Sequence, residues 1–105
     1  MNREGVSMNG KWTISLTRRA KKDLADLQSE RKRAFESILE LEQNSHAGHS
    51  LLGGLRGVRS LKFSLPGVAY RVGYILQTEQ RVCLVFLIGA HENFYDLVER
   101  RYRSL

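Results

Sequence analysis

Four residues in this 105-residue chain have side chains and spacings suited to chemistry on an anionic substrate: Lys62, Arg71, His91 and Tyr95. Pro66-Gly67 marks a turn between two stretches of alternating polarity. If the hairpin is symmetric about that pair, Leu65 faces Val68, Phe63 faces Tyr70 and Lys62 faces Arg71. Phe63 and Tyr70 should then point to a helix-covered core, with Lys62 and Arg71 side by side on the other face. Like charges directly opposite on a sheet repel. Two explanations stay open at this level: an anion sits between the cations, or both long side chains diverge into solvent.

His91 and Tyr95 stand four apart and share a helix face if the last helix starts early. Histidine moves protons near neutral pH, and a tyrosine hydroxyl donates or accepts a hydrogen bond. Taken singly, Tyr95 reads more simply as a core residue beside Phe94 and Val98, and His91 as a solvated strand end. Taken with Lys62 and Arg71, they form a basic cleft holding a candidate acid and base. That combination suits phosphodiester cleavage in RNA, where cations stabilise a phosphorane-like transition state.

Other groupings carry less. His46 and His49 have no third ligand nearby, so no metal site is expected. Glu92, Asp96 and Glu99 read as an ordinary helix face rather than a two-metal centre. Gly53, Gly54 and Gly57 lack the lysine of a phosphate-binding loop. Cys83 lies in the most apolar stretch, where a thiol behaves as a small hydrophobe. Arg18, Arg19, Lys21 and Lys22, with Arg31, Lys32 and Arg33, form a solvated helix face that could also track a nucleic-acid backbone.

The elements that must position these residues follow from periodicity. Residues 1–10 read as a flexible tail, within which Met8 is an alternative start, and residues 11–105 as one domain. Trp12, Ile14 and Leu16 alternate with polar residues as a half-buried strand does, and Thr17 is placed to cap a helix bearing Ala20, Leu24 and Leu27. Ser29 can cap a second helix with Ala34, Phe35, Ile38, Leu39 and Leu41 on its stripe. Residues 44–57 read as a loop. Two strands flank Pro66-Gly67; a turn at 77–80 leads to an apolar strand over 81–88, broken by Gly89 and covered on both sides. A basic-ended helix over 92–103 closes the chain, with Phe94, Tyr95, Val98 and Tyr102 inward. The expected fold class is α+β: a small, mostly antiparallel four-stranded sheet, an N-terminal helix hairpin on one face and a C-terminal helix, in the order β-α-α-β-β-β-α.

Composition sets the bounds. Seventeen Lys and Arg against eleven Asp and Glu give a net charge of +6, which points to an acidic partner. A hydrophobic share of 42% excludes a disordered basic tail, and one cysteine excludes a disulfide-stapled scaffold. No run approaches the roughly 18 apolar residues of a membrane span, and no signal-peptide pattern opens the chain, so a cytoplasmic protein is expected.

Leu61-Lys62-Phe63, Pro66-Gly67-Val68-Ala69-Tyr70-Arg71-Val72, Leu87-Ile88-Gly89-Ala90-His91 and Phe94-Tyr95 together resemble the RelE/ParE superfamily of bacterial toxins, closer to its RelE branch. The likeness spans residues 11–103. It implies a toxin restrained by a cognate antitoxin and acting, without metal or small-molecule cofactor, as a ribosome-dependent messenger RNA endonuclease at the decoding site. By the same resemblance, Lys62 is a base or charge stabiliser and Arg71 holds the scissile phosphate. His91 is a phosphate ligand or general acid, Tyr95 orients the substrate base, and Arg56 and Arg59 extend the phosphate track. Two features depart from some relatives: Ser60 stands where they carry a second lysine, and the spacing from His91 to Tyr95 is shorter. Two other functions fit the same fold and charge, a ParE-like inhibitor of DNA gyrase and a non-catalytic basic RNA-binding module.

Overall fold

The computed structural model describes residues 11–51, 57–90 and 92–105. The expected tail, Arg56 and His91 therefore lie outside the described residues. Strand β1 (Thr13–Leu16) leads into helix α1 (Arg18–Ala25), whose first turn is capped as expected: the Ala20 amide donates to Thr17 Oγ1 at 3.1 Å. Helix α2 (Arg31–Leu39) returns across the same face. Ser29 does not cap it. A 3₁₀ turn over Gln28–Glu30 runs straight into α2, whose N-cap is Glu30, and Gln28 takes a left-handed φ of 51° to make the reversal.

Four strands follow: β2 (His49–Ser50), β3 (Val58–Leu65), β4 (Val68–Gln77) and β5 (Val82–Ala90), before helix α3 (Phe94–Arg103). Among the described residues the sheet has five strands, ordered β1-β5-β4-β3-β2, and only β1–β5 is parallel. The additional strand is β2, two residues inside the segment expected to be a loop. It pairs with β3 at Ser60 and Arg59. Gly48 admits no larger residue there, since a Cβ would lie 2.6 Å from the Ser60 carbonyl oxygen. The Gly48 amide donates to the Tyr74 hydroxyl at 3.0 Å, and that hydroxyl donates to the Ser45 carbonyl at 2.8 Å.

The hairpin register is the expected one: Leu65 opposes Val68, Phe63 opposes Tyr70 and Lys62 opposes Arg71. Gly67, at φ 79° after a proline, has the type II turn signature. The Phe63 and Tyr70 rings stack at 5.9 Å in the core under α1 and α2, with Ala20, Ala34, Ile38, Val72, Tyr74 and Val85. On the opposite face α3 covers Val58, Phe86 and Leu87 with Phe94 and Val98. A β-bulge explains the unbroken apolar run in β5. Gly73 opposes Leu87 while Tyr74 opposes Val85, so Phe86 and Leu87 both serve the α3 face. β5 is interior and covered on both sides, and it continues through Gly89 to Ala90.

Strand β1 covers β5 only as far as Val85. Beyond it, a charged pair completes the open edge. Arg101 on α3 grips Asp23 on α1 with two bonds, 2.7 and 3.0 Å. Asp23 Oδ2 also accepts the Ile88 amide at 3.0 Å, and Arg101 Nη1 donates to the Phe86 carbonyl at 3.0 Å. The pair thus occupies strand-edge groups that would otherwise be exposed to edge-to-edge pairing, and it ties the two helical layers together.

Candidate phosphate-binding site

Alternation along β3 sends Leu61, Phe63 and Leu65 to the α1–α2 core and Ser60, Lys62 and Ser64 to the α3 face. On β4 the same face carries Arg71 and Gly73. Helix α3 covers only part of it: a Cβ at Gly73 would lie 3.6 Å from the Phe94 ring, whereas Lys62, one pair further along, is exposed. The site therefore begins where the cover of α3 ends.

Lys62 and Arg71 are direct cross-strand neighbours. Among the described residues neither takes part in an ion pair, in contrast to Arg101 with its Asp23. Arg71 is half-buried; its Nη1 donates to Ser60 Oγ at 3.2 Å, and its buried Nε meets no acceptor. Two adjacent, uncompensated cations form a positive locus able to hold an oxyanion.

Tyr95 is not a core residue. It is 54% exposed on the first turn of α3, while its neighbour Phe94 and Val98 are the buried pair; Tyr102 is half-buried against Phe86. The helix begins at Phe94 rather than at 92, and His91 is not among the described residues. Arg59 is placed apart from Lys62 and Arg71. It lies on the opposite face and donates to Ser50 Oγ (2.9 Å) and to the carbonyls of His46 (3.1 Å) and Gly48 (2.6 Å). Ser60 is the contributor that sequence reasoning missed: its hydroxyl is buried and contacts Arg71.

Cys83 is buried, and desolvation pushes its thiol up to about 11, as befits an inert core residue. Among the described residues no three His, Cys, Asp or Glu side chains converge as metal ligands, and no helix is long and apolar enough to cross a membrane.

The fold, with its helix hairpin on one face of a small sheet, is shared with known proteins. The model for ParE-like toxins of type II bacterial toxin-antitoxin systems matches residues 14–99, and the chain belongs to that family. Among solved structures it is similar to a mutant of the E. coli toxin RelE in the free state, with 22% identity and a TM-score of 0.69 over 90% of this chain and 99% of that one. It is also similar to a chain of the RelBE2 toxin-antitoxin complex from Mycobacterium tuberculosis, with 21% identity and a TM-score of 0.66 over 77% and 99%. A chain of the intact E. coli RelBE complex matches with 22% identity and a TM-score of 0.60 over 77% and 98%. No curated protein matches the chain by sequence.

Proposed function

We propose that this toxin is a ribosome-dependent messenger RNA endoribonuclease that blocks translation in the cytoplasm and is restrained by a cognate antitoxin. The observation that carries the reading is the Lys62–Arg71 pair, two cross-strand cations without an ion-pair partner among the described residues, at the open end of the α3 face. In the proposed reaction the RNA 2′-hydroxyl attacks the adjoining phosphorus in line. The new P–O2′ bond forms as the P–O5′ bond breaks, leaving a 2′,3′-cyclic phosphate and a 5′-hydroxyl. Arg71 holds the non-bridging oxygens; Lys62 either neutralises the developing charge, with the 2′ proton passing to water, or takes that proton in its neutral form, and the leaving O5′ gains a proton from His91 or water. Exposed Tyr95 supplies a ring on which a base can stack. His91 is assigned the phosphate or the proton of the leaving oxygen. The reading routes charge stabilisation through side-chain cations and needs no metal. Arg56 is retained as an outer phosphate contact, whereas the hydrogen bonds of Arg59 favour a structural role for it. Two of the similar solved structures are toxin-antitoxin complexes, which supports an antitoxin as partner.

A second reading, gyrase inhibition, is favoured by the ParE-like family model. Two assays on the purified protein separate them. Amino-acid incorporation in a cell-free translation reaction should stop while gyrase supercoiling of a plasmid proceeds unchanged. Normal incorporation with blocked supercoiling would replace the ribonuclease reading with the gyrase one.

A further inference from the structure

Ser60 has no exposed surface, although it carries a hydroxyl and lies beside the open part of its sheet face. Its register partner is Gly73, and Arg71 stands two residues along β4 on the same side. The contact between Ser60 Oγ and Arg71 Nη1 is thus a diagonal cross-strand bond. A guanidinium presents donors in a fixed planar fork. With Nη1 turned to Ser60, Nε and Nη2 are left over. Nε is buried without an acceptor, and Nη2 makes no hydrogen bond among the described residues. Nε has almost no accessible surface, so Nη2 is the nitrogen that an incoming phosphate or carboxylate oxygen meets. Arg59 provides the contrast. Its Nε also lacks a partner, but both terminal nitrogens are bonded to protein, so neither is left for an anion.

We infer that Ser60 is a positioning residue that locks Arg71 so that its unbonded terminal nitrogen, Nη2, is presented to an oxygen of a phosphodiester. The identity of that anion rests on the proposed function; the locking does not. A neutral acceptor here does what a second cation could not, since it fixes the arginine without competing for the anion.

The test is NMR of the Arg Nε–Hε groups in the ¹⁵N-labelled full chain, with Arg71 assigned by its loss in Arg71→Lys. The probe is a dinucleotide carrying a 2′-deoxy group, which binds but cannot be cut. The Arg71 signal should shift and saturate in the wild type. Affinity should fall roughly 5–10-fold in Ser60→Ala, as for net loss of one ordinary hydrogen bond of about 1 kcal/mol, and recover in Ser60→Thr. Before any addition, ¹⁵N relaxation should show the wild-type Arg71 Nε to be rigid, a readout that needs no variant to fold. A mobile Arg71, a signal that ignores the dinucleotide, or equal affinities in wild type and Ser60→Ala would each overturn the inference. A Ser60-dependent shift in a protein that cuts no RNA on ribosomes would uphold it and remove the ribonuclease reading instead.

Discussion

Arg59 and Arg71 carry the same side chain on adjacent strands and do different work. Arg59 places its terminal nitrogens on three protein acceptors and holds β2 to β3. Arg71 gives one bond to Ser60 and, among the described residues, leaves its Nη2 without a hydrogen bond. Arg71→Ala should therefore lower RNA cleavage by about 10²–10³-fold with an unchanged thermal melt. Arg59→Ala should cost roughly 1–3 kcal/mol of stability, measured by urea denaturation, and leave cleavage by the folded fraction intact. Cys83 gives a prediction in pH. Its proton is held more tightly in the folded state, where the thiol is raised from 9.0 to about 11. The associated stability is complete below pH 9 and is lost as pH rises through about 11. Urea midpoints of the wild type should fall across that window relative to Cys83→Ala. The cross-strand meeting of Lys62 and Arg71 was legible from the Pro66-Gly67 turn. The Ser60 contact had a fainter signal, the absence of a side chain at the residue facing it, Gly73. Tyr95 was misplaced because two adjacent aromatics left the helical phase open, and the start of α3 at Phe94 sends Phe94 inward and Tyr95 outward.

Among the elements, β3, β4 and both N-terminal helices were readable from their periodicity and β5 from its apolar run, although Ser29 does not cap α2 and Gly89 does not end β5. Strand β2 was not readable. His49 and Ser50 have no alternating pattern of their own, and the pair is held by contacts from distant residues: Arg59, Tyr74 and the close approach of Gly48. The Asp23–Arg101 bridge joins α1 to α3 across 78 positions of sequence and closes the uncovered edge of β5, so no local pattern announces it. Both side chains are largely buried, and Asp23 also accepts a main-chain amide. Asp23→Asn should destabilise the fold by roughly 2–4 kcal/mol, since it leaves Arg101 without its counter-charge. Chemical denaturation checks the value, and a double-mutant cycle with Arg101→Met should show strong coupling between the two positions.

At the scale of the molecule, three layers divide the labour. The α1–α2 layer and its core fix the hairpin register, α3 covers part of the other face, and the open part presents Lys62 and Arg71. A net charge of +6 surrounds that locus with positive potential. Binding to ribosomes in a pelleting assay should weaken steeply between about 50 and 200 mM salt, and Lys62→Gln with Arg71→Gln should flatten the slope by about two counterions. Affinity that ignores salt would place the interaction on another, apolar surface. The central claim is that this basic locus cuts messages on the ribosome. Its most direct test is mapping of RNA 5′ ends in a cell-free translation reaction containing the wild type or Arg71→Ala. New ends should appear within codons at the decoding site, dependent on ribosomes and absent with Arg71→Ala. Intact messages with the wild type, or the same ends with Arg71→Ala, would contradict it.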